Sequence, residues 1–266
     1  MSLTAHLAHL RTSGLDPRSY LPYLAARWLR SRFCPPLPPA ARTIAINWRG
    51  TPLTLRLGST DILVFQELFL EHHYGRLAGA LAIAAPAGRP LRILDLGAYT
   101  GLSAAGFAAL YPGCELLCLE PEPENFRLLE HNLAAARLSA LALRAFAGDT
   151  PGSGYIRDAG AGEWAFELSR APAGLPTPVY DVPTLLAARA WDAVDLIKCN
   201  IEGAEEPLFR NCRSWIRRAR SLIVELHPPY DLAAFAYDLS RNGAAFEIRE
   251  TVAAGDHTVC AVALWP

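Results

Sequence analysis

Asp95, Glu120, Asn200, Glu202, Glu225 and His227 are the residues of this chain best placed by type and spacing to do chemistry. Each stands in or just past a short apolar run, where a side chain leaves a buried sheet and can meet a ligand. Asp95 lies in Leu91-Arg-Ile-Leu-Asp-Leu-Gly-Ala-Tyr-Thr-Gly101, which reads as a covered parallel strand entering a glycine loop. Gly97 and Gly101 bracket a tight turn through Ala98 and Tyr99, and a stretch of helical composition follows. Such a unit sets a ligand at a helix N-terminus. The dinucleotide fingerprint needs a second glycine so that pyrophosphate can approach the backbone. Here that position is Tyr99, and the charge of Asp95 repels phosphate, so a nicotinamide dinucleotide is disfavoured. Glu120 ends the next run and precedes Pro121, which keeps it extended. A carboxylate there can take both hydroxyls of a ribose. Acid, glycine loop and ribose acid together fit S-adenosylmethionine, which carries a sulfonium, an ammonium and a ribose but no phosphate.

The remaining polar residues each have two readings. Asp95 binds the methionine ammonium, directly or through water, or is an anion at a helix start. Asn125 assists Glu120 or caps the following helix. Asp149 accepts from the adenine amino group or makes a Gly-Asp turn. Asn200 cannot act as a base, but its carbonyl can orient an acceptor. Glu202 is a base or a helix cap. Glu225 and His227, two apart on a strand, share one face. An ordinary histidine value of about 6.5 suits His227 to proton removal, and a strand terminator before Pro228-Pro229 is the alternative. Lys198 sits on a buried strand and needs a polar partner, for which Glu202 or Glu225 is the candidate.

The elements that must position these residues follow from the apolar pattern. Strands are expected near 91–96, 115–119, 141–147, 194–200, 220–226, 245–250 and 258–264, with helices near 101–111, 123–136, 181–189, 204–216 and 231–241. Strand–helix alternation implies a mostly parallel sheet covered on both faces. The short link 253–257 admits no helix, so the last two strands should form an antiparallel hairpin. Residues 43–48 and 51–57 alternate around Arg49-Gly50 and read as a β-hairpin, followed by a helix near 61–74. Residues 150–178 read as a substrate-side loop with a short strand pair. The first 33 residues look helical and basic, with Leu21, Leu24, Trp28 and Leu29 on one apolar face, and a Pro-rich linker follows at 34–39. We therefore divide the chain into an arm and linker, 1–40, and a main domain, 41–266. The arm is a candidate lid, dimer contact or membrane-surface helix.

The chain has 266 residues, 52% of them hydrophobic, and a net charge of −1. That supports a sizeable core and gives no global bias toward nucleic acid. No apolar run reaches the roughly 18 residues of a membrane span, and the N-terminus lacks a basic-then-apolar signal. The cysteines are scattered, which favours free thiols of a reducing cytoplasm. No zinc set is read: Cys114 and Cys118 lack a second pair. Asn200 weakens an acidic cluster that keeps Glu202, which leaves a divalent metal undecided.

Several segments are together similar to the FkbM-type methyltransferases. They are residues 64–74, Ile93 to Gly101, Cys118 to Phe126, Asp195-Leu-Ile-Lys-Cys-Asn-Ile-Glu-Gly-Ala-Glu205 and Ile223-Val-Glu-Leu-His227. They cover about residues 60–230, in the family's order. Asn200 departs from the pattern, where the family usually has aspartate. The resemblance implies a class I methyltransferase layout: a Rossmann-like, mostly parallel seven-stranded sheet with an antiparallel edge strand. It also implies S-adenosylmethionine as cofactor and O-methylation of a small-molecule acceptor, a natural product or sugar hydroxyl. His227 or Glu202 is then the base. The resemblance has the 64–74 segment close over the cofactor, with Tyr74 near its methionine end. N-methylation of an amine, or a catalytically idle cofactor-binding partner of the same fold, are the alternatives.

Overall fold

The computed structural model describes residues 9–30, 43–158, 160, 166–172 and 174–265. The expected Pro-rich linker lies outside the described residues. The hairpin is present as β1 (Thr43–Trp48) and β2 (Thr51–Arg56). Three parallel strands follow: β3 (Arg92–Leu96), β4 (Glu115–Leu119) and β5 (Ala140–Leu143). A smaller sheet comprises β6 (Phe146–Ala147), β7 (Gly152–Asp158), β8 (Phe166–Ser169) and β9 (Thr177–Tyr180), in the order β6-β9-β7-β8. The chain returns to the main sheet with β10 (Leu196–Cys199), β11 (Ser221–Leu226), β12 (Ala245–Ala254) and β13 (His257–Trp265).

The seven-stranded order is β12-β13-β11-β10-β3-β4-β5. The expected mostly parallel sheet is therefore present, with its reversed strand, β13, one place in from the edge, between β11 and β12. Chain order changes direction between β3 and β10, which opens a crevice at their carboxyl ends. Alternation along β3 sends Leu94 and Leu96 into one buried cluster and Ile93 into the other, so both faces are covered.

Local chemistry sets the helix ends that matter here. Pro123–Ala135 starts at Glu122, whose side chain accepts from Asn125 N at 2.6 Å. The helix expected at 204–216 stops at Arg210, because the Asn242 amide donates to the Phe209 and Arg210 carbonyls. The helix expected at 61–74 is interrupted: Asp61–Phe65 passes into a π-helical turn, Gln66–Leu70, and His72 at φ +56° precedes a new helix, His73–Leu81.

The described part of the arm packs on the hairpin. Asp16 N donates to the Asn47 carbonyl, Ser19 Oγ accepts from Asn47 N and Trp48 Nε1 donates to the Ser13 carbonyl. These bonds fix the rotation of helix Tyr20–Arg30. It buries Tyr23 and Ala26 and turns Leu21 (79% exposed) and Trp28 (54%) outward, which corrects the expected apolar face. No helix among the described residues is long and apolar enough to cross a membrane. Cys114, Cys118, Cys199, Cys212 and Cys260 are buried free thiols.

Candidate functional site

A cavity of about 630 Å³ opens at the carboxyl ends of the central strands. Its wall includes Tyr74, Gly97, Ala98, Tyr99, Glu120, Pro121, Asn200, Glu202 and His227. One cavity thus gathers most of the residues singled out from the sequence.

On one side is the glycine loop. Gly97 sits at φ +76°, and a Cβ there would lie 1.8 Å from the Asn200 carbonyl oxygen. Its close approach is to the end of β10, which holds two halves of the cavity together. Gly101 opens helix Leu102–Leu110 at φ +83°, against Leu129. Tyr99 is also left-handed, at φ +52°. Its backbone N–H donates to Glu120 Oε2 at 3.0 Å, while Glu120 Oε1 accepts from Glu122 N (3.0 Å) and Asn125 Nδ2 (3.3 Å). Asn125 therefore assists Glu120, and capping falls to Glu122. Burial outweighs these bonds and pushes the Glu120 carboxyl up to about 7.

The Tyr99 side chain lines the cavity and its hydroxyl is tied to the hairpin side. Its hydroxyl donates to Asp61 Oδ1 at 2.5 Å and accepts from Arg56 Nη2 at 2.9 Å. Asp61 is fully buried and paired with Arg56 at 2.7 Å. Burial, then the Asp61 charge, holds the Tyr99 phenol well above its ordinary range. Tyr74 lines the cavity and stacks on Phe107, ring centroids 5.5 Å apart.

Four expected cofactor residues are not in the cavity wall: Gly101 and Asn125, which support the loop and Glu120, and Asp95 and Asp149. Asp95 is fully buried behind the wall: Ser103 Oγ donates to it at 2.5 Å and Lys198 Nζ lies 3.1 Å away. Asp95 and Lys198 are cross-strand neighbours on β3 and β10, so Lys198 pairs there and not with Glu202 or Glu225. Asp149 lies in an adjoining cavity of about 680 Å³, and Asn211 Nδ2 donates to it at 3.3 Å.

The opposite side is built from the ends of β10, β11 and β13. Asn200 Nδ2 donates to Glu225 Oε2 at 2.8 Å. Glu205, fully buried, accepts from Ile201 N, Gly203 N and His227 Nδ1, the last at 3.1 Å. The other ring nitrogen of His227 lies 3.6 Å from Glu202 and 3.9 Å from Glu225. Burial lowers the proton affinity of His227, but Glu205, Glu202 and Glu225 outweigh it and carry the ring up to about 9. Burial pushes Glu202 up to about 7, against the pull of His227. Burial also acts to raise Glu225, but its bond to His257 (2.9 Å) and nearby cations hold it below the ordinary carboxylate value.

Glu67, Glu205, His257 and the Arg56–Asp61 pair are site features that sequence reasoning passed over. Glu67 and Glu205 lie within the segments that carried the family resemblance. His257 had no sequence signal beyond its turn. Arg56–Asp61 becomes visible only when the hairpin meets the loop.

The lining suits a cationic ligand. Glu67, Glu120, Glu202 and Glu225 face the cavity, and Lys198 is occupied by Asp95 and the Leu96 and Gly97 carbonyls. That set of acceptors fits a ribose with a sulfonium and an ammonium and disfavours phosphate. Glu120 is the candidate to hold the ribose, and Glu67 and Tyr74 line the same cavity.

Residues 95–249 match the family model described as the methyltransferase FkbM domain. Among solved structures, the S-adenosylmethionine-dependent methyltransferase from Agrobacterium tumefaciens is similar at TM-score 0.50 and 14% identity, over 88% of this chain and 72% of that one. Precorrin-6y C5,15-methyltransferase from Geobacter metallireducens GS-15 aligns at TM-score 0.45 and 13% identity, over 74% and 88%. At these identities the likeness concerns the fold. No curated protein matches the sequence.

Proposed function

This chain belongs to the FkbM methyltransferase family, and on that footing we propose that it transfers a methyl group from S-adenosylmethionine to a hydroxyl of a small-molecule acceptor. The observation that carries the reading is the meeting of two cavities at Glu202 and His227. Both residues line the cavity that holds the glycine loop and Glu120, and both line its neighbour. A donor in the first and an acceptor in the second would meet at these side chains.

The bound cofactor supplies an electrophilic methyl group on a sulfonium. The chain supplies position and proton transfer. Fixing the acceptor oxygen close to that methyl removes much of the entropic barrier. A hydroxyl must also lose its proton as the new bond forms. His227 is a poor free base at neutral pH, because three glutamates favour its protonated ring. Glu202 faces both cavities, and its proton affinity near neutrality suits it to accept. His227, oriented by buried Glu205, then keeps Glu202 in place. The Asn200 Nδ2 is spent on Glu225, so it positions that carboxylate.

The test is incubation of candidate acceptors with methyl-labelled cofactor and the protein, read by mass spectrometry. Label on an acceptor oxygen supports the proposal. Label on nitrogen moves it to the amine alternative. Tight cofactor binding without transfer to any acceptor class moves it to the idle-partner alternative.

A further inference from the structure

We propose that Glu225, His227 and His257 form a site for one divalent first-row transition-metal ion at the reaction corner of the cavity. One ligand atom from each of the three lies within 4.8 Å of the other two. His257 Nε2 is 2.9 Å and His227 Nε2 3.9 Å from the same oxygen, Glu225 Oε1. Ligand atoms about 2.0–2.2 Å from a shared ion stand roughly 3–3.5 Å apart, which small side-chain rotations here supply.

The strand register explains the convergence. Leu226 of β11 pairs with Thr258 of β13 in antiparallel fashion, so one step further His227 faces His257. Their rings lie 5.3 Å apart, and Glu225 is two residues back on the same face.

The outer partners point the same way. A metal-bound histidine commonly gives its second ring nitrogen to a carboxylate, which fixes the ring and its tautomer. Both rings do so: His227 Nδ1 to Glu205 at 3.1 Å and His257 Nδ1 to Asp256 at 3.2 Å. Each Nε2 is thereby turned toward Glu225. Asn200 keeps a buried Oδ1 with no hydrogen-bond partner among the described residues, and Glu202 lies 3.6 Å from His227. Both are further oxygen donors in the wall of the same cavity. Two imidazoles with one carboxylate favour zinc, iron, cobalt or manganese over the all-oxygen preferences of magnesium and calcium.

An ion held there would polarise an acceptor hydroxyl. It would make that hydroxyl more acidic, and Glu202, which faces both cavities, would take the proton that leaves it. That use rests on the transferase reading, whereas the ion site does not.

The experiment is calorimetric titration of the chelator-stripped, full-length protein with cobalt(II) or zinc(II), without donor or acceptor. Cobalt absorption reports the ligand field. One ion per chain is expected, bound at micromolar strength or tighter. His257→Ala and Glu225→Gln should each weaken it at least about tenfold, since even outer-partner changes cost that much. His257 opens β13 and is partly exposed, and a melt of its variant checks that it is folded before the titration is read. His131→Ala, on a distant helix, should bind as wild type. Cobalt and zinc binding weaker than about 1 mM would overturn the site. So would full-strength binding in both ligand variants, or magnesium bound more tightly than either ion. None of these results touches cofactor binding, which is measured separately with S-adenosylhomocysteine.

Discussion

Glu120→Gln is the sharpest probe of the cofactor side, because the structure fixes both its size and its pH dependence. The carboxylate takes three donors, Tyr99 N, Glu122 N and Asn125 Nδ2, shared over its two oxygens. A glutamine must turn its –NH₂ toward at least one of them, so the amide cannot reproduce the arrangement. Loss of charge-assisted bonds to a ribose costs about 1.5–3 kcal/mol, roughly 10- to 150-fold in affinity. The pH dependence comes from burial, which pushes the group up to about 7 from 4.5. If only the ionised form holds the ribose, wild-type affinity for S-adenosylhomocysteine should fall about tenfold between pH 8 and pH 6. The linked effect on stability has the opposite sense. The native state binds this proton more tightly than the unfolded chain, so stability is highest at low pH and declines as pH rises from about 4.5 to about 7. The variant should lose the step at Glu120 in both curves. Calorimetry from pH 5.5 to 8.5, with thermal melts at each pH, reads both. A folded Glu120→Gln protein that binds as tightly as wild type, or keeps its pH slope, would refute the assignment of Glu120.

Three further outcomes follow from the same geometry. Gly97→Ala adds a Cβ 1.8 Å from the Asn200 carbonyl oxygen at φ +76°, so denaturant melts should show a loss of about 2–5 kcal/mol. Tyr99→Phe removes the hydroxyl joining Asp61 to the glycine loop; about 1–2 kcal/mol of stability should go, with a weaker donor affinity, and an unchanged melt would contradict the network. Glu202→Gln should slow single-turnover transfer by about 10²–10⁴ while calorimetric donor affinity stays at the wild-type value, and a fully active variant would remove Glu202 as the base.

The fold was legible because its strands are continuous apolar runs ended by glycine, proline or acid, and such runs have few other uses. β3 and β4 fall within a residue of where the pattern puts them. The loop from Gly97 to Gly101 and Glu120 were legible for the same reason: their contacts are local, or lie on a neighbouring strand. What depended on distant pairing was not. Glu202 and Glu225 are the acids that the sequence offers Lys198, yet its partner is Asp95, set by the alignment of β10 beside β3. His227 looked like an ordinary histidine, because the three glutamates that raise its proton affinity come together only at the strand ends. The break at His72 had no signal in composition, since a left-handed histidine between two helices is a tertiary choice.

The hairpin and arm bear on the cofactor site through one residue. Leu10, Leu15 and Tyr23 of the arm share a buried cluster with Trp48, Leu53 and Leu55 of the hairpin and with Phe65 and Phe69 beyond it. That cluster holds the end of β2 against the start of the next helix, where Arg56 meets Asp61. Tyr99 reaches both from the middle of the glycine loop, and its backbone N–H is one of the three donors that orient Glu120. A left-handed tyrosine costs about 1–2 kcal/mol in backbone energy, so its conformation needs tertiary bonds to hold it. Those bonds come from the hairpin side, outside the sheet. The hairpin and arm therefore bear on Glu120, the candidate ribose ligand, from a distance, by fixing the turn that supplies one of its three donors.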